Sequence, residues 1–396
     1  MPGLPMKILI SGAGIAGPTL AYWLKRYGFA PTLVERAPGL RSGGYVIDFW
    51  GLGYDIAEMM GLFPALSQVG YHMQELRVVD NDNARVAGFG TRVFSELTGG
   101  RFITVGRSDL SRLIFATIQR DCEVIFDDCI VKLEEDAAGI GVTFERSGER
   151  RFDLVVGADG LHSGVRRLVY GSQERYEARL GYMVAAFETA GYRPRDERVY
   201  VIHGVPGRQV ARFALHQDRT LFLFIFAGDL DVGHDIGAQK AILKDQFGNV
   251  GWESPRILEA LDRCDDLYFD RVSQIKIDHW SRGRVVLAGD AASCISLLGG
   301  QGTALAMTAA YVLAGELAKS RGQYAEAFQR YEQLLRPYLA IKQRAAERFA
   351  SAFVPRTPFG LWVRNAVMKA FAIPSLARMT FGRDIADQLT LPRYSV

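Results

Sequence analysis

Residues 6–37 read MKILISGAGIAGPTLAYWLKRYGFAPTLVERA, and the fold turns on how this stretch is read. Lys7 to Ser11 is a short apolar run of the kind that forms a buried parallel strand. Apolar residues then recur at Ile15, Leu20, Trp23, Leu24 and Tyr27, which is helical spacing. Pro18 is tolerated because it falls in the first helical turn, where no intrahelical donor is needed. Gly28 stops the helix, and APTLVE opens a second strand. The turn inside this βαβ unit is Gly12-x-Gly14-x-x-Gly17. Gly12 allows the tight turn, Gly14 lets backbone approach a pyrophosphate, and Gly17 lets the helix pack on the strand. Ile15 and Ala16 begin the helix, whose free N–H groups face phosphate charge. Glu35 ends the second strand near the spacing at which an acid bonds a ribose hydroxyl, with Arg36 beside it. The motif alone does not separate NAD from FAD.

The rest of the 396-residue chain is long enough for two or three packed domains, since 48% of it is hydrophobic. Lys and Arg total 47 against 44 Asp and Glu, so the net charge of +3 asks for neither a nucleic-acid backbone nor an acidic partner. Cys122, Cys129, Cys264 and Cys294 show no CxxC spacing and read as buried free thiols, which favours a cytoplasmic protein without a bound metal. The N-terminus opens a strand rather than a secretory signal. No apolar run approaches the roughly 20 residues of a membrane helix. The apolar stretch 360–382 is expected to pack on the protein's own body, with surface membrane contact as the alternative.

After a second helical stretch, FWGLGYDIAEMMGL, the texture changes to alternating β patterns joined by turn residues, which return to an apolar strand at Leu154–Gly157. Residues 178–274 read as strand-rich and aromatic, and from Ala304 to Phe353 the chain is strongly helical. The expected fold is therefore α/β and interleaved. A Rossmann-like dinucleotide-binding domain takes 1–72, 103–177 and 275–318; a strand-rich substrate domain takes 73–102 and 178–274; a helical segment, 319–396, closes the chain.

Two further stretches repeat the logic of an apolar strand ending in an aspartate. DLVVGADGLHSGVRR (153–167) places Asp159-Gly160 after one strand, and GRVVLAGDAASCISLLGGQGTALAM (283–307) places Asp290 after another. The second continues into a glycine loop, Gly299 to Thr303, that offers backbone N–H groups at a helix start. Three such motifs in this order resemble the single-component, class A FAD-dependent aromatic hydroxylases of the para-hydroxybenzoate hydroxylase type. Within that family the likeness is to the tetracycline-inactivating monooxygenases, the tetracycline destructases, on AYWLKRYGF, YFDRVSQIKIDHWSRGRVVLAGDAA and the closing LPRY. The resemblance implies FAD, with Asp159 at its pyrophosphate side, Asp290 on its ribityl chain, and Gly300, Gly302 and Thr303 at its ring. It also implies contacts from Arg41, Asp48 and Arg107, for which a surface ion pair is the alternative at both arginines. Many members carry a histidine and then proline before the glycine loop; here Ser293 and the proline-free Ile295 to Leu298 stand there.

The implied activity is insertion of one oxygen atom from O2 into a phenolic or polycyclic aromatic molecule, with tetracycline-like antibiotics among the candidates. NADPH or NADH serves as a transient donor, because the single GxGxxG leaves no second dinucleotide domain. Protein catalytic residues are not singled out, because the flavin carries the chemistry; the six histidines are scattered. A halogenase or prenyl reductase on the same scaffold, or a non-enzymatic escort protein, are the alternatives. No WxWxI stretch supports the halogenase. The expected state is a monomer or weak homodimer. In RQVARFALHQDRTLFLFIFAGDL (208–230), Phe222 and Phe224 share one sheet face with Phe226. That face reads either as a wall for an aromatic substrate or as core, and Arg208 or Arg212 is placed to meet an anionic oxygen on the substrate.

Overall fold

A computed structural model describes residues 5–41, 43–373 and 389–394. The part of the apolar stretch at 374–382, and 374–388 and 395–396 of the closing segment, lie outside the described residues.

The opening βαβ unit forms as read: strand Lys7–Ser11, helix Ala16–Arg26, strand Ala30–Glu35. Strand Lys7–Ser11 lies between Ala30–Glu35 and Leu154–Gly157, parallel to both, in register Leu9 to Thr32 and Leu9 to Val155. Val285–Leu287 adds in parallel beyond Leu154–Gly157, and Glu123–Phe126 beyond Ala30–Glu35, with Ser281–Arg282 as an antiparallel edge. The chain therefore departs to opposite sides of Lys7–Ser11, so a crevice opens at the carboxyl ends of the strands. Ile8, Leu9, Ile10 and Leu154 to Val156 are buried, as strands covered on both faces require. Helix Gly302–Lys319 supplies much of that cover and is buried along nearly its whole length.

A seven-stranded sheet faces the crevice. Its strands are Tyr268–Ile275, Glu177–Ala190, Arg219–Ala227, Arg208–Ala214, Val199–Val205, Glu75–Val79 and Arg85–Gly90, in that spatial order. The strand-rich reading of 178–274 missed two helices there, Ile236–Phe247 and Ser254–Asp262. They pack on one face of the sheet through Leu243, Phe247, Ile257 and Leu261.

The long helix Tyr324–Phe353 runs from the nucleotide sheet to the seven-stranded sheet and is followed by Pro358–Ala370. That last helix buries only Arg364 and Met368 and leaves Phe359 and Trp362 exposed, so its packing on the body is one-sided rather than full. The closing Leu391-Pro392-Arg393-Tyr394 returns to the core: Tyr394 lies against Gly315, where any Cβ would collide with its ring, and its hydroxyl bonds Glu316. Of the four cysteines, Cys264 and Cys294 are buried; Cys122 and Cys129 are only half-buried, which corrects the expectation for that pair.

Candidate functional site

The crevice is a single cavity of about 1420 Å³ between the two large sheets. Its first end is built from the strand termini. Gly12 has φ +106, and a Cβ there would sit 2.5 Å from the Ala158 carbonyl oxygen. A Cβ on Gly17 would sit 1.9 Å from the Gly12 carbonyl oxygen, so helix and turn touch. Gly14 is different: only Arg107 Nη2, at 3.9 Å, lies near its missing Cβ, and the remaining space belongs to the cavity. The Ser111 hydroxyl donates to the Gly14 carbonyl at 3.1 Å and ties the helix Arg107–Ala116 to the turn.

Arg107 makes no hydrogen bond or ion pair through its guanidinium among the described residues, although Tyr45 first, and then Asp290, raise its pKa against the effect of burial. Asp290 stands at the start of the short helix Asp290–Ser293. Burial pushes its carboxyl above the ordinary range, with the Arg107 cation and the Cys294 thiol pulling the other way. Glu35 accepts from the backbone N–H groups of Ala13 at 2.7 Å and Ala37 at 2.9 Å while lining the cavity. Asp159 is raised by burial and opposed by the Ser163 hydroxyl and the Val165 N–H, so it anchors the helix Gly164–Tyr170. Ile15, Ala16, Arg36, Arg41, Gly300, Gly302 and Thr303 also border the cavity; Arg36 and Arg41 are solvent-exposed. Gly300 has φ +66, a conformation glycine adopts without strain.

The second end is apolar. Leu221, Leu223 and Ile225 line it together with Tyr200, Ala211 and Phe213 of the neighbouring strands. Phe222 and Phe224 do not: they are fully buried on the opposite face, against the two helices missed in the sequence. The period of two held, but those helices made the phenylalanine face into core. Arg208 and Arg212 pair in register with Phe226 and Phe222 and share that face. Arg208 donates to the Gln246 carbonyl at 2.7 Å, and Arg212 is closed into a network with Asp196 and Glu253. Arg208 lies off the cavity, whereas Arg212 borders it with its guanidinium already facing two carboxylates. The placements of Phe222, Phe224 and Arg208 correct the sequence expectation, and the carboxylates occupy Arg212.

Asp48 links the two ends. Its Oδ1 accepts from the Thr104 hydroxyl and from the Tyr200 hydroxyl at 3.0 Å, and burial raises its pKa against both bonds. Tyr200 and Thr104 carried no motif and went unnoticed in the sequence. His162 bridges elsewhere, from the Asp159 turn to Asp270 at 3.0 Å.

The model of the FAD-binding-domain family matches residues 5–349. The chain belongs to that family. A flavin-dependent monooxygenase from an unknown prokaryotic organism is 34% identical, over 98% of this chain and 99% of its own length. An uncharacterized protein of Mycobacterium tuberculosis is 39% identical, covering 82% of this chain and 88% of its own. The crystal structure of tetracycline destructase Tet(51) superposes with a TM-score of 0.84 at 30% identity, over 100% of both chains. The protein is thus a flavin-dependent monooxygenase with FAD as its cofactor.

The turn after Asp290, which carries Ser293 and no proline, is held by side chains from two other elements. Gln343, on the long helix, donates to Ser293 Oγ at 3.3 Å and to the Cys294 and Ile275 carbonyls at 3.0 and 2.8 Å. Gln274 donates to the Ile295 carbonyl at 3.2 Å. Two glutamine side chains thus hold this turn through hydrogen bonds. Ser296, in that turn, has φ +94.

The open space at Gly14, with the half-buried Arg107 guanidinium beside it and free of hydrogen bonds among the described residues, fits the dianionic pyrophosphate of FAD. Arg107→Ala is expected to weaken FAD binding roughly 10- to 100-fold, the worth of a charge-assisted bond. Asp290→Ala should lose most of its flavin while remaining folded. Visible absorbance per protein and circular dichroism check both, and a fully yellow Arg107→Ala protein would contradict the placement.

Proposed function

We propose that the cavity holds FAD at its strand-terminal end and a phenolic or polycyclic aromatic substrate against the Leu221, Leu223 and Ile225 face. The observation that carries this reading is the continuity of the two ends in one cavity. Gly12, Gly14, Gly17, Arg107 and the N–H groups at Ile15 and Ala16 receive the pyrophosphate. Glu35, with Arg36, holds the adenosine ribose, and Asp290 the ribityl chain. The loop Gly300, Gly302 and Thr303 meets the ring, while Asp159, Arg41 and Asp48 complete the surround. Segments 1–72, 103–177 and 275–318 serve the cofactor, 73–102 and 178–274 the substrate, and 319–396 is the closing helical segment, from which Tyr338, Phe353 and Met368 border the cavity.

FAD held there would supply the redox chemistry, with NAD(P)H as electron donor and O2 as the source of the inserted oxygen atom. The chain's own task is to orient the ring to be oxidised, exclude water and manage its proton. Asp48 and Tyr200 suit that last role. A carboxyl raised by burial is a stronger base once ionised, and the Tyr200 hydroxyl carries its hydrogen bond toward the substrate face. Tetracycline-like compounds are one substrate class; the likeness to Tet(51) supports it. We also read the protein as cytoplasmic and as a monomer or weak homodimer, supported by its free cysteines; among the described residues no helix is long and apolar enough to cross a membrane.

NADPH consumption in air, with and without tetracycline, tests the reading together with product mass. Stimulated consumption and a product one oxygen heavier are expected. Unstimulated consumption sends the search to other phenols, and absence of any NADPH oxidation contradicts the reading.

Asp48 also makes a pH prediction. Its folded-state pKa lies above the ordinary value of 3.8. The folded protein therefore holds this proton more tightly than the unfolded chain, and stability is lost as pH rises from about 3.8 through the raised value. Asp48→Asn keeps an acceptor for Thr104 and Tyr200 but cannot ionise. Its melting temperature relative to wild type should climb as pH rises from 4 and then level off. A difference independent of pH would contradict the buried, raised carboxyl.

A further inference from the structure

The cavity is bordered by a buried cation that the reading above leaves without a task. Arg364, on the helix Pro358–Ala370, is 7% exposed, and its guanidinium meets only neutral acceptors. These are Gln209 Oε1 at 2.9 Å, Asn365 Oδ1 at 2.9 Å and the Phe353 carbonyl at 3.3 Å. No carboxylate among the described residues pairs with it, and no charge offsets its burial, which pushes its pKa down to about 10. It remains a cation at neutral pH. Burying a charge without a counter-ion is strongly unfavourable, so a structural role alone is a poor account of it. The Phe353 carbonyl closes the long helix and gives Arg364 a capping contact, yet one neutral carbonyl needs no buried guanidinium.

Its position is informative. Arg364 and Gln209 both border the cavity. Gly204 pairs in register with Gln209, and a Cβ on Gly204 would lie 3.4 Å from Arg364 Nη1. Tyr200, Ile202 and Gly204 alternate onto one face of their strand, so Gly204 lies four residues beyond Tyr200. At about 3.3 Å per residue this is roughly 13 Å along the cavity floor. One end of that span carries Asp48 and Tyr200, the other the lone guanidinium, and Ile202, Ala211 and Leu223 lie between or beside them.

We propose that Arg364, seated by Gln209, sets substrate specificity by receiving an ionised oxygen group, a carboxylate or an acidic enol, at the far end of an elongated multi-ring aromatic substrate. The proposal rests on the monooxygenase reading and on oxidation occurring at the Asp48 end. It relocates the anion contact from Arg212, which already faces carboxylates, and from Arg208, which lies off the cavity, to the last helix, where every acceptor is neutral.

The test uses calorimetric titration of the FAD-loaded protein with a dihydroxyanthraquinone carboxylic acid and with its carboxamide. Wild type should bind the acid at least about tenfold tighter than the amide, the scale of a desolvated charge pair. Arg364→Gln and Arg364→Met should erase that preference without changing flavin content, and Arg364→Lys should keep part of it. Flavin content and melting temperature report whether each variant is folded. Equal affinity for the two probes in wild type, no binding of either, or a preference that survives Arg364→Gln overturns the proposal. A wild-type protein that carries no FAD or does not accept electrons from NADPH sinks the broader reading instead, and the same preparations show which has failed.

Discussion

Parallel strands that end at one edge impose the constraint on which the rest of this protein depends. Lys7–Ser11, Leu154–Gly157 and Val285–Leu287 are far apart in sequence, yet their register brings Gly12, Asp159 and Asp290 to the same edge. A strand buried on both faces can present polar groups only at its ends. The carboxylates and N–H groups therefore collect there, around Arg107, whose guanidinium makes no hydrogen bond among the described residues and lies near Tyr45 and Asp290. This explains the repeated pattern of an apolar run followed by glycine and aspartate.

The opposite wall follows a different rule. The sheet that faces the crevice has two buried faces with different neighbours. One is sealed by helices Ile236–Phe247 and Ser254–Asp262 and takes the bulky phenylalanines, which gain most from close packing. The other borders the cavity and carries branched aliphatic side chains with a few hydrogen-bonding groups. Such a surface accepts flat apolar rings without dictating their identity. Discrimination then falls to polar groups at its margins: Asp48 with Tyr200 at one end and Arg364 with Gln209 at the other.

Much of this was legible in the sequence because turns that need glycine and strands that end in aspartate leave local marks. Gly12, Gly14, Gly17, Glu35, Asp159 and Asp290 were picked from such marks and Arg107 from the family resemblance; all but Gly17, which packs the helix on the turn, line one cavity. What was not legible depends on contacts between distant segments. The alternation in TLFLFIF gave the two faces of its strand correctly, but which face is core is decided by helices over twenty residues away in part. The same displacement assigned Arg208 and Arg212 to the substrate when Gln246, Asp196 and Glu253 already hold them. Tyr200, Thr104, Gln343 and Arg364 lie in segments with no motif, and only the packing of the chain gives them partners.

The most direct measurement is a crystal structure of the protein grown with FAD. The account predicts the pyrophosphate against Gly14 and Arg107, the ring at the loop Gly300 to Thr303, and open space between that ring and Leu223. Density for the dinucleotide elsewhere, or a ring that fills the space before the Leu221, Leu223 and Ile225 face, would contradict a single cavity shared by cofactor and substrate.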